Sequence, residues 1–320
     1  MNIRPFQNTE EECTGLIELR KILEPERVLT VVLLREQYAE LETWGNIVAR
    51  FVGEFGGQIV ASGVHWRSAK SPEKTVNFAL QVHPDHQNGP FPAQMQAHLI
   101  AELAQHRPPA IASEPHEGEL YRIRLLEQAG FEQTMRFPRS QMDVTTFDFA
   151  AYSHLVEQLQ AQQIGFVTLT DIMQSDSAWR KNVWRMFTRI EQDVPMPDPT
   201  EGTSFEEYSQ YYDEPLFRPD SWAIAVDTQQ TGADRYVGMC VVNLMPTRPD
   251  TLFAGITGVI PSHRRRKIAT ALKVQSIRYA QRTGCRYIYT NNEENNPMLA
   301  LNFALGFQPL PAWVYYKKQL

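Results

Sequence analysis

The sequence predicts an α/β chain laid out as two tandem domains, each a mixed, mostly antiparallel twisted sheet flanked by helices. Three observations predict it. The chain has 320 residues, 42% of them hydrophobic and 21% charged, which is ordinary globular composition with room for two cores. Strand-like and helix-like runs alternate along it. It also repeats itself. "FALQVHPDHQNGPFPAQM" (78–95) lies on "GITGVIPSHRRRKIATAL" (255–272), so that Val82, Pro84 and His86 fall on Val259, Pro261 and His263, an offset of 177. Later, Gly130-Phe131 falls on Gly306-Phe307, an offset of 176. Landmarks in one order at nearly one offset point to duplication of a domain far larger than a solenoid repeat.

The elements follow in order. In the first unit, "NIVARFVGEFGGQIVASGV" (46–64) predicts a hairpin, "TVNFALQV" (75–82) a strand and 93–106 a helix. "FAAYSHLVEQLQAQQ" (149–163) predicts a connecting helix. The expected division is therefore 1–145, a linker over 146–163, and 164–320. "IGFVTLTDI" (164–172) opens the second unit as a strand. "SAWRKNVWRMFTRIEQD" (177–193) places Trp179, Val183, Met186 and Ile190 on one helical stripe. Three prolines make 194–204 a loop, and 205–212 reads as a short helix. Strands are expected over 221–227, 235–245 and 251–260. A helix follows over 265–284, ended by Gly284; then come a strand over 285–291, a helix over 296–306 and a last strand over 312–319.

Charge and cysteine usage exclude several classes of function. Lys and Arg number 31 against 37 Asp and Glu, a formal net charge of -6, which argues against nucleic acid as a partner. Cys13, Cys240 and Cys285 are far apart and form no ligand cluster, so they read as reduced thiols. His83 and His86 are two residues without a third ligand, in a proline turn, so no metal is expected. No apolar run approaches the ~20 residues of a membrane helix, and the amino-terminal segment lacks a signal-peptide core. The expectation is a cytoplasmic protein, a monomer or weak homodimer, with no membrane partner.

The basic knot Arg264, Arg265, Arg266 and Lys267 stands between a strand and a helix. The first N–H groups of a helix lack internal partners, and the helix dipole adds positive charge there. Such a turn suits a phosphate. Ala269 lets a ligand approach the backbone, and Thr270 adds a hydroxyl.

"TGVIPSHRRRKIATALK" resembles motif A of the GNAT superfamily of acyl-CoA N-acyltransferases, (Gln/Arg)-x-x-Gly-x-(Gly/Ala), with Arg264 and Ala269 at the outer positions. Lys267 replaces the central glycine. Downstream, "TNNEENNPMLALNFALGF" (290–307) is similar to T-x-N-x-x-N-x-x-M-(x)3-N-x-x-L-G-F of one subgroup. The layout resembles the two-domain acetyltransferases that include mycothiol synthase. The resemblance covers 164–320 well and the first half faintly. It implies acetyl-CoA as co-substrate, cradled by Arg264, Arg265, Arg266, Lys267, Ile268, Ala269 and Thr270. It also implies that Thr257, Gly258 and Val259 line the pantetheine arm, and that Asn292, Asn295 and Asn302 lie near the thioester. The Val259 N–H would stabilise the oxyanion as an amine attacks. The implied activity is N-acetyl transfer to a primary amine of a small acceptor.

The first unit carries Gln87 at the arginine position and Pro90 and Pro92 at the small-residue positions. Proline has no N–H, so this unit is expected to support rather than bind. Chemistry needs a base for the amine and an acid for the thiolate. The family's acid tyrosine falls on Asn302, which leaves Tyr315 and Tyr316 as substitutes. Asp193, with Glu191, Asp198, Glu206 and Glu207 near it in sequence, is the candidate base or amine-attracting group. The alternatives are a non-catalytic acyl-CoA-binding or regulatory module, in which Lys267 and Asn302 mark lost chemistry, and an interaction protein that uses the fold without CoA.

Overall fold

The structure is a computed structural model that describes residues 1–320 apart from 44–46, 68–74, 198–201 and 215. The first half runs β1 (Asn2–Pro5), α1 (Glu10–Leu23), α2 (Val31–Thr43), β2 (Ile47–Phe55), β3 (Gln58–Arg67), β4 (Val76–Val82), α3 (Phe91–Ala104), β5 (Ala110–Ser113), α4 (Leu120–Gln128) and β6 (Glu132–Asp143). The connecting helix is α5 (Ser153–Ala161). The second half runs β7 (Ile164–Thr168), α6 (Leu169–Ser175), α7 (Trp179–Glu191), α8 (Phe205–Gln210), β8 (Trp222–Asp227), β9 (Tyr236–Leu244), β10 (Thr251–Val259), α9 (Ile268–Arg282), β11 (Tyr287–Asn291), α10 (Pro297–Ala304) and β12 (Gln308–Gln319). No helix among the described residues is long and apolar enough to cross a membrane.

Among the described residues, twelve strands join one sheet in the order β1-β2-β3-β4-β5-β12-β6-β11-β10-β9-β8-β7. The last strand of each half is exchanged. β12 pairs with β5 of the first half, and β6 pairs with β11 of the second. The two exchanged strands pair with each other antiparallel at the centre. Val314 and Tyr316 of β12 consequently belong to the first half's core with Phe78, Met95, Leu99 and Phe131. Met142 of β6 packs with Val242, Leu252, Ile288 and Phe307 of the second.

The two halves carry matching elements at matching positions. β4 and β10 end at Val82 and Val259, 3-10 turns follow at Pro84–His86 and Pro261–His263, and helices start at Phe91 and Ile268, all at the offset of 177.

Two element expectations need correction. The strand expected over 164–172 stops at Thr168, where a capping box forms: the Thr168 hydroxyl accepts from the Asp171 N–H and the Asp171 carboxylate accepts from the Thr168 N–H. The helix expected from 265 starts at Ile268, because Arg265 and Lys267 are left-handed, with φ of 63° and 65°. The loop over 194–204 is described only in part, and Asp198 lies outside the described residues.

Candidate acyl-CoA site

Strand β10 does two things at once. On one edge it pairs with β9 from Leu252 to Val259, with a bulge between Ala254 and Thr257. On the other it pairs in parallel with β11 only over Thr251–Phe253. The Thr290 hydroxyl donates to the Ala254 carbonyl at 2.9 Å, buried, and the two strands separate beyond it. A V-shaped opening results, bounded by residues 255–259 on β10 and by the segment after Asn291. The Ile260 N–H points to β9, donating to Val237 O at 2.9 Å. By strand alternation the Val259 N–H points the other way, into the opening.

Gly258 is fixed by packing. A Cβ there would lie 2.1 Å from Ile190 Cγ2, on helix α7, which crosses β10 at that point. Thr257 faces the opposite side of the sheet, towards α9; its hydroxyl meets the Cys240 Sγ at 3.1 Å, and Ser276 donates to the same sulfur at 3.1 Å.

At the end of β10 the chain turns through Pro261–His263 and the basic knot into α9. None of the backbone N–H groups of Arg265, Arg266, Lys267, Ile268, Ala269 and Thr270 has a partner; the first helix bond is from Ala271 to Lys267 O. Lys267 is the N-cap residue with φ 65° and ψ 14°. That backbone is the one glycine adopts freely, and a side chain pays about 1–2 kcal/mol for it. The turn is braced from outside. Arg264 Nε donates to Val259 O at 2.9 Å, and its other nitrogen pairs with Asp193. Arg266 is held by Gln162 of the connecting segment at 3.0 and 2.8 Å. His263 Nε2 meets Asp227 Oδ2 at 3.2 Å.

The same turn in the first half is a measure of what differs. Gln87 Nε2 donates to Val82 O at 2.9 Å, the counterpart of the Arg264 bond. Pro90, opposite Lys267, has φ -77° and no N–H. Pro92 has none either, and the Gly89 N–H is used by His86 O at 3.2 Å. The donors that remain are those of Asn88, Phe91 and Ala93.

On the far side of the opening, Asn302 is fully buried and donates to Asn292 Oδ1 at 2.7 Å. Its own Oδ1 has no partner. Such a buried orphan acceptor is costly unless a ligand completes it. Asn295 is exposed and folds back onto Glu293.

The remaining predicted residues lie elsewhere or carry other contacts. Tyr315 reaches Asn77 at 3.3 Å and Tyr316 reaches Glu127 at 3.1 Å, both in the first half. The strand exchange puts them there. Asp193 pairs with Arg264. Glu191 accepts from the Thr203 N–H at 3.0 Å, and Glu207 caps α8 through Ser204. Two features have no local signal in the sequence. One is Lys273, buried on α9. The other is an aromatic cluster of Phe187, Tyr208, Tyr212, Phe217 and Trp222 beside α7, whose members come from three separate segments.

A model of the GNAT family of acetyltransferases matches residues 177–307. Over the whole chain the fold is similar to a tandem GNAT protein from the clavulanic acid biosynthesis pathway, at 16% identity and TM-score 0.71, covering 99% of this chain and 98% of that one. It is similar to a GCN5-related N-acetyltransferase from Sphaerobacter thermophilus, at 14% identity and TM-score 0.70, covering 99% and 95%. A GCN5-related glucosamine N-acetyltransferase region of a fungal multi-domain β-N-acetylglucosaminidase gives TM-score 0.75 at 10% identity, over 99% of this chain and 38% of that one. No curated protein matches by sequence. Identities this low speak for the fold; the family model speaks for the chemistry of the second half. Residues 177–307 thus match the GNAT family of acetyltransferases, and over its whole length the chain has a fold similar to that of tandem GNAT proteins.

Proposed function

We propose that the protein transfers an acetyl group from acetyl-CoA to a primary amine of a small acceptor, at one site, in residues 164–320. The observation that carries this reading is the run of six unpartnered backbone N–H groups from Arg265 to Thr270 beside the opening of β10. Those donors, the helix end and the four cations fit a pyrophosphate. Asn302, held by Asn292, is the side chain that the family resemblance would set beside the pantetheine arm. Acetyl-CoA supplies the activated acyl group; the chain supplies position and charge.

In this reading Arg264 braces the turn from Val259 O while Asp193 holds its outer end. Val259 directs its N–H at the thioester carbonyl, where a fixed donor stabilises the charge that develops as the amine attacks. Asn292 orients Asn302. The first half, 1–145, contributes β6 as the neighbour of β11 and binds no CoA, because Pro90 and Pro92 remove donors and the left-handed turn. A second reading, binding without catalysis, is favoured by Asn302 standing where the family's tyrosine is expected.

Calorimetric titration with CoA tests the site. One equivalent should bind, and Arg264→Ala should weaken binding by roughly tenfold, the value of one charge-assisted contact. Two equivalent sites would overturn the division of labour between the halves. Thiol release from acetyl-CoA across a panel of primary amines separates catalysis from binding alone.

A further inference from the structure

Helix α9 carries a lysine where the core should be apolar. Lys273 is 3% exposed, between Leu272 and Val274, and makes no hydrogen bond or ion pair. Its ammonium lies 5.6 Å from the centroid of the Phe307 ring. Burial pushes its pKa down, and the one titratable group that acts on it is Cys240. An unpaired buried ammonium destabilises a fold, and a methionine of similar length would not. Stability therefore gives no reason for a lysine here.

Its position gives one. α9 packs along β10 and runs back against the direction of that strand, so six residues from Lys267 to Lys273 return about 9 Å from the turn. That distance reaches the level of Thr257. Cys240, whose Sγ is 3.1 Å from Thr257 Oγ1, is the titratable group close enough to act on Lys273. The Phe307 ring lies against its ammonium, and the Phe307 N–H is bound to the backbone oxygen of Asn302 at 3.1 Å. Lys273 is thus linked to β9 and β10 through Cys240 and to the Asn302 backbone through Phe307.

We propose that Lys273 is the proton donor to the CoA sulfur, in place of the acid that Asn302 cannot supply. The assignment rests on the acetyl-CoA reading above. As the acceptor nitrogen forms its bond to the acyl carbon, the C–S bond breaks and its electron pair goes to sulfur. One Nζ proton of Lys273 passes to that sulfur, giving CoA thiol and a neutral amine. The proton lost by the acceptor nitrogen returns through solvent to restore the ammonium, so no external acid is consumed.

The test compares CoA with desulfo-CoA, in which hydrogen replaces the thiol, by calorimetric titration of the full chain. The wild type should prefer CoA by about tenfold or more, as a charge-assisted contact to sulfur requires. In Lys273→Met that preference should vanish while desulfo-CoA affinity is unchanged and the melting temperature is equal or higher. Lys273→Gln should behave alike. Equal preference in wild type and variants, or an equal loss for both ligands in the variants, would overturn the assignment. So would unfolding of both variants, which would mark a structural lysine. If the wild type binds neither ligand, the acetyl-CoA reading fails and the assignment with it.

Discussion

At the scale of single residues, Lys267 holds the turn's unusual backbone without the residue that favours it. Lys267→Gly should keep every donor and relieve the left-handed strain, but glycine also loses more entropy on folding. The expected result is a stability change within about 1 kcal/mol in either direction, with CoA binding retained. Lys267→Pro reproduces the first half's Pro90: φ cannot be positive, and one donor is gone. It should abolish measurable CoA binding while the far-ultraviolet circular dichroism stays native; binding within threefold of wild type would refute the phosphate turn. The residues of this turn were legible in the sequence because a motif places them by spacing. The partners of Asp193, Tyr315 and Tyr316 were not. Those contacts cross 71 residues in one case and reach the other half in the others, and no local pattern encodes such distances. Lys273 was hidden differently: a lysine in a helix reads as exposed until the packing around it is known.

Among elements, β10 and α7 depend on one atom's absence. A Cβ on Gly258 would meet Ile190 Cγ2 at 2.1 Å, and Ile190 is itself buried in the second core. Gly258→Ala must move α7 away from the strand, which overpacking experience puts at about 1–3 kcal/mol. Thermal melts should show that loss, and CoA affinity should fall with it because Gly258 lies on the β10 wall of the opening. Pairing with Ile190→Ala should recover part of the loss; additive effects would show that the two positions do not touch. In the second half most elements were legible from periodicity and from stop residues such as Gly284 and Gly306, whereas β1, α1, α2, β5, α4 and β6 of the first half were not. The misread boundaries have local causes. Thr168 and Asp171 form a capping box whose signature was present but masked by the apolar run around it. The sequence alone starts α9 three residues early, because left-handed arginine and lysine carry no compositional sign.

Across the whole molecule, the tandem repeat hid a strand exchange. Sequence shows that two units exist, since the offset of 177 survives in strand ends and helix starts. It does not show which sheet each unit's last strand joins, because the partners of β6 and β12 lie in the other half of the chain, beyond the reach of any local pattern. The exchange makes each half incomplete. A fragment ending at residue 163 keeps β5 but lacks β12, so Val314 and Tyr316 are missing from its core. A fragment starting at 164 lacks β6, which leaves β11 an open edge and removes Met142 and Val144 from the core shared with Ile288 and Phe307. Each exposed edge is a row of unpaired backbone groups next to apolar surface, a state that aggregates or stays partly unfolded. The intact chain should melt in a single transition, and either fragment alone should lack a cooperative one. Mixed during refolding, the two fragments should form a 1:1 complex that binds one CoA, because β6 and β12 then pair as they do in the whole chain. Two independently stable fragments would refute the dependence of each half on the other's strand.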